Sequence, residues 1–122
     1  MVEEPISLHR VARDMSAATL LQVYFDRPEL NCILTVYGRM VAAGEWRDYA
    51  LDFLEEMAVF SIFRNACEMP LFRIEKRPKL RQRQGQYSVV AAGGVILKRG
   101  HELGQVLKIF DRKLLKAQAS TE

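Results

Sequence analysis

Between Gly44 and His101 the chain carries four or five short strand signals, and the stretches joining them are brief. A parallel pair needs a crossover of about a dozen residues or more, usually helical, so these strands must run as an antiparallel meander. Tyr49, Leu51 and Phe53 alternate with Asp48, Ala50 and Asp52, the pattern of a strand with one wet face. Met57 to Phe63 is apolar on both sides, which predicts a central strand covered on both faces. Leu71 to Lys76 predicts a third strand, with Phe72 and Ile74 facing one way and Arg73 and Glu75 the other. Tyr87 to Ala91 and Val95 to Lys98 predict a hairpin about Ala92-Gly93-Gly94. A further short strand is expected over Leu21 to Phe25.

Helical periodicity brackets this region. Asp26 is a good N-cap, and Glu29 has the spacing to reach back to it as a capping box. Phe25 and Leu30 have the spacing of a hydrophobic staple, and Pro28 is tolerated in a first turn. Leu30, Ile33, Leu34, Tyr37, Met40 and Val41 then form one predicted apolar stripe, which Gly44 ends. A last helix is expected from about His101, with Leu103, Val106, Leu107, Phe110 and Leu114 as its stripe. Arg112, Lys113 and Lys116 fall in its final turns, where cations suit the helix dipole. The expected architecture is α+β: an antiparallel sheet of four to five short strands with two amphipathic helices packed on one face. Residues 1–20 show no sustained period and are expected to be an arm, with a single domain over 21–116 and a tail over 117–122.

The 122 residues are 49% hydrophobic and 27% charged, the balance of a globular chain rather than a disordered one. No apolar run approaches the roughly 20 residues a membrane span needs. Glu3 and Glu4 stand where a secretory signal would carry Lys or Arg, so a cytoplasmic location is expected. Cys32 and Cys67 share no CxxC and have no His beside them, so free thiols are expected and no metal site. Whether the two could be bridged is a matter of geometry that sequence leaves open. Charge is divided along the chain. Residues 1–67 hold six Arg against ten acids, a net of −4, while residues 68–122 hold twelve Lys and Arg against five acids, a net of +7. Such polarity suggests a positive face suited to an anionic partner.

The segments Gly44-Glu-Trp-Arg-Asp-Tyr49, Phe60-Ser-Ile-Phe-Arg64, Arg73-Ile-Glu-Lys-Arg-Pro-Lys-Leu80 and Leu97-Lys-Arg-Gly-His101 resemble an uncharacterised family of small alphaproteobacterial proteins. The resemblance covers about residues 22–110. It implies a bacterial cytoplasmic protein and lends no activity, cofactor or catalytic residue.

The basic segment is the sharpest candidate. Arg73, Lys76, Arg77, Lys79, Arg81 and Arg83 meet a single acid, Glu75, within eleven residues. Its second half has little to bury and is expected to be an exposed loop, where Lys and Arg suit phosphates and Gln82, Gln84 and Gln86 add hydrogen-bonding groups. Tyr87 flanks the run and could stack on a base. The plainer reading is a solvated loop. Lys98 and Arg99, expected at the start of the last helix, could help hold an anion at its free N–H groups. Gly93-Gly94 fits no phosphate-loop spacing and reads as a turn. Trp46, Arg47 and Tyr49 form a possible interface anchor, or Trp46 closes the edge of the core. His9 and His101 have no nucleophile motif beside them, and Glu55-Glu56 reads as an exposed turn, so no catalytic residue is assigned.

These features point to a non-enzymatic binding module, without cofactor, that engages nucleic acid or another polyanion through residues 73–83 with Lys98 and Arg99. The alternative is a protein-interaction module or homodimer whose surface includes Trp46 and the strand at residues 57–63.

Overall fold

The structure is a computed structural model that describes residues 22–65 and 69–113. The expected arm and tail, and with them His9, Cys67, Leu114 and Lys116, lie outside the described residues.

Helix α1 spans Arg27–Ala42 and starts where the capping signal puts it. The Glu29 amide donates to Asp26 Oδ1 at 2.8 Å, and the Asp26 amide donates to Glu29 Oε1 at 2.7 Å. Two donors that lack helical partners are thereby satisfied reciprocally. At the other end Gly44 takes φ 78°, a left-handed turn that only glycine adopts freely. The chain reverses there, and the Glu45 amide closes on the Met40 carbonyl at 2.9 Å.

Five antiparallel strands follow in chain order: β1 (Asp48–Phe53), β2 (Ala58–Phe63), β3 (Phe72–Lys76), β4 (Tyr87–Ala91) and β5 (Ile96–Gly100). The meander is the one the short connections demand. Gly93 and Gly94, both at φ 84°, make the β4–β5 turn. The β4–β5 ladder is irregular at Val89/Val90, where Val89 pairs with Lys98 but Val90 with Ile96. Leu97 is the extra residue of this bulge and packs against the core. Helix α2 spans Leu103–Leu107, and residues 109–113 resume helical structure after one turn residue.

The core forms on one face of the sheet. Ile33, Val36 and Met40 of α1 and Leu103, Val106 and Leu107 of α2 meet Phe60, Ile62, Ile74 and Val89 in one cluster, so both helices cover the same side. On the opposite face, Val59, Ser61, Glu75, Ser88 and Val90 are also buried, although neither α1 nor α2 lies there. The central strand is thus buried on both faces, as its composition predicts.

Three local expectations change. The α1 stripe is rotated: its buried residues are Glu29, Ile33, Val36 and Met40, while Leu34 and Val41 stay about 40% exposed. Glu29 causes this by entering the interior, where Oε1 accepts from Lys76 Nζ at 2.8 Å and Oε2 accepts from the Tyr87 hydroxyl. Residues 23–26 pair with no strand; the Val23 amide instead donates to the Leu54 carbonyl at 2.7 Å, pinning the chain beside the β1–β2 turn. His101 precedes α2 rather than starting it. Among the described residues no helix is long and apolar enough to cross a membrane.

Two predictions follow from the Glu29 network. Asp26→Ala removes one side-chain cap and is expected to cost about 1 kcal/mol. Glu29→Ala removes the returning bond and also strands the Lys76 ammonium, 15% exposed, so a loss of about 3–5 kcal/mol is expected. Urea denaturation of the two variants side by side checks the order, and equal losses would show the ion pair to be dispensable. The second concerns pH. Burial, and then the hydrogen bond to Glu29, push the Tyr87 phenol above its ordinary value of 10. The folded state then keeps a proton that the unfolded chain releases above pH 10, so this contribution to stability is present below pH 10 and declines above it. Tyr87→Phe should flatten that alkaline decline, which thermal unfolding across pH 9 to 11 would measure, with about 10 as the onset set by the unfolded phenol.

Candidate functional site

Strand alternation divides the basic segment. On β3, Phe72, Ile74 and Lys76 face the helices, and Arg73 and Glu75 face away. Lys76 is therefore an internal group, bonded to Glu29 and to the Tyr24 carbonyl, each at 2.8 Å. Tyr87, expected as a stacking ring beside the loop, pairs with Lys76 across the ladder and is 8% exposed in the core. Neither side chain is on the surface that the basic run suggested. The run's own parity placed Lys76 with Ile74, but no local signal revealed its partner in α1.

Arg73 and Arg77 converge on the face away from α1 and α2. Glu75, only 4% exposed, lies between them, with Arg73 Nη2 at 3.4 Å and Arg77 Nε at 3.2 Å from its two oxygens. The ladder continues from Glu75 through Ser88 to Arg99, which brings a third guanidinium to the same face. Arg73, Glu75, Arg77 and Arg99 line an open cavity of about 360 Å³, with Leu80, Val90, Gly94 and Ile96 completing its wall. Arg99 is held at one end, where Nη1 donates to Gln84 Oε1. Its Nε is buried without any hydrogen-bond partner. A buried donor left unsatisfied typically costs about 1–3 kcal/mol, and more when it is charged.

The loop is compact. A 3-10 turn at Pro78–Leu80 begins it, and the Leu80 carbonyl accepts from the amides of Arg83, Gln84 and Gly85. Gly85 has φ 94° and lies so close to β5 that a Cβ would run into the Gly100 carbonyl. The loop is thereby fixed against the edge strand. Arg81 and Arg83 on it are exposed, as expected. Lys79 is exposed and pairs with Glu56, which holds the amine above and the carboxyl below their ordinary values through that hydrogen bond. Exposed pairs of this kind are weak and screened by salt.

Lys98 and Arg99 do not sit at a helix start; both belong to β5, and alternation separates them. Lys98 lines a different hollow with Gln105, Lys108, Asp111 and Arg112 on the helix side. The sequence reading missed the meeting of Arg99 with Arg73 and Arg77, because strand register alone brings them together.

The expected interface trio is also split. Trp46 is 2% exposed, edge-on to Phe110 with centroids 4.9 Å apart, so it closes the core and presents no anchor. Arg47 is exposed. Tyr49 is 42% exposed and stacks on Phe60 at 4.8 Å, with Tyr37 edge-on at 5.0 Å. Cys32 is a half-buried free thiol. Among the described residues no group of three or more His, Cys, Asp or Glu could hold a metal ion.

No curated protein and no solved structure matches the chain. One family model does match, over residues 23–107, which takes in α1, the whole sheet and α2. The chain belongs to the family described as "Protein of unknown function (DUF2794)".

Proposed function

We propose that this chain is a non-enzymatic binding module of the bacterial cytoplasm that engages nucleic acid or another polyanion through its basic loop and the adjoining edge of β5. The observation that carries this reading is the seam between the two. Gly85 packs on Gly100 and Gln84 accepts from Arg99, so the loop's cations adjoin those of the cavity. Arg81 and Arg83 lie between Leu80, on the cavity wall, and Gly85, against β5. Arg73, Arg77 and Arg99 line the cavity and Lys79, Arg81 and Arg83 belong to the loop beside it, while Glu56 and Glu75 are the carboxylates that pair among them. An excess of positive charge on a firmly positioned loop is what sequence-independent phosphate contact requires. Lys76, Tyr87, Trp46 and Lys98 play no part in this surface.

Replacing Lys79, Arg81 and Arg83 together with Gln is expected to leave the fold intact, because none of the three enters the core. Binding to RNA or DNA should weaken, and the slope of log K against log salt should flatten by up to about three units. Lys108→Gln, an exposed charge on the helix side, should change neither measurably. Fluorescence anisotropy across a salt series reads both quantities. Should the wild-type chain show no affinity for mixed RNA, single-stranded DNA or duplex DNA at low salt, this reading fails and a protein partner takes its place.

A further inference from the structure

We propose that the cavity on the sheet face away from α1 and α2 also binds a small phosphate monoester, with the phosphoryl group on Arg99, Arg73 and Arg77. Two observations point to a ligand there. Arg99 Nε is a buried cationic donor that points at no acceptor, while Nη1 of the same guanidinium is already fixed by Gln84. The fork is therefore oriented before anything binds, and an oxyanion in the cavity would supply the acceptor that Nε lacks. Glu75 meanwhile engages one nitrogen of Arg73 and one of Arg77, which positions both guanidiniums and leaves most of their N–H groups available.

Charge and shape narrow the class. Three guanidiniums and one carboxylate leave a net of two positive charges around the cavity. A phosphate monoester carries about −1.5 to −2 near pH 7, whereas a carboxylate brings only half as much. Planar guanidinium forks also match phosphate oxygens in paired hydrogen bonds. The remaining wall is apolar, from Leu80, Val90 and Ile96, and Ile96 is 47% exposed. An organic body on the ester would cover it, and inorganic phosphate would not. A cavity of about 360 Å³ falls at the small end of the range for ligand sites, roughly 300–1,000 Å³. This site shares Arg73, Arg77 and Arg99 with the proposed polyanion surface but uses none of Lys79, Arg81 and Arg83, so a change confined to the loop separates the two.

Calorimetric titration of the intact chain with phenyl phosphate, inorganic phosphate and benzoate at matched ionic strength tests the proposal. Phenyl phosphate should bind about tenfold or more tighter than either of the others, because only it meets both the charge and the apolar wall. The Arg99 Nε–H signal in nitrogen-15 NMR should shift on titration. Arg99→Lys keeps the charge but loses the paired donors, and should weaken phenyl phosphate by about tenfold or more. The Lys79, Arg81 and Arg83 triple variant should bind it within about twofold of wild type, since none of the three lines the cavity. An unmoved Nε–H signal at millimolar phenyl phosphate would overturn the proposal. Equal binding by Arg99→Lys, or no preference over inorganic phosphate and benzoate, would do so too. Loss of RNA binding alone would leave it standing.

Discussion

One buried carboxylate ties the first helix to the sheet, and the placement of much else depends on it. Glu29 accepts from its own cap residue, from Lys76 on β3 and from Tyr87 on β4. Lys76 and Tyr87 are partners across a single rung of the ladder, so one side chain from the helix meets both strands. A charge removed from water is tolerable only when it is paired and hydrogen-bonded, and here all three donors are supplied. The N-terminus of α1 is thereby fixed over the end of the β3–β4 pair. With Glu29 inside, helical spacing carries Ile33, Val36 and Met40 onto the sheet and leaves Leu34 and Val41 at the surface.

Features whose causes lie close together in the chain are legible in its sequence, and those whose causes lie far apart are not. The capping box, the glycine ending α1 and the five strands are written in neighbouring residues, and all were legible. The buried stripe of α1 is rotated from the expected one by about a fifth of a turn, because apolar spacing takes no account of a charged residue at its edge. The partner that draws Glu29 inward lies 47 residues away, and nothing local announces it. Gly85 is a similar case. Its sequence context suggests only a loop, whereas its need for glycine comes from the close approach of Gly100.

The candidate site was legible in composition but not in geometry. A run of cations between Arg73 and Arg83 reads as one patch, yet β3 distributes it by alternation. Lys76 passes inward to Glu29, and Arg73 turns outward to Glu75. Arg77, just past the strand, joins the outward set. Arg99 reaches the same face through two ladders, β3 with β4 and β4 with β5. Register fixes such meetings, and a shift of one residue would send each side chain to the other face.

The two faces of the sheet therefore treat acidic groups in opposite ways. On the helix side, Glu29 gathers one cation, a hydroxyl and an amide, and the set closes with its donors satisfied. On the other side, Glu75 is as deeply buried but is flanked by two guanidiniums that it only partly occupies, with a third nearby. Stability alone would favour the first arrangement everywhere, since a fully paired charge costs least. The second concentrates surplus positive charge and an unpartnered Arg99 donor beside one cavity. Folds depart from local satisfaction mainly where a ligand completes the bonding. That departure sits on the face away from α1 and α2, where Glu75 and the unpartnered Arg99 donor meet around one cavity.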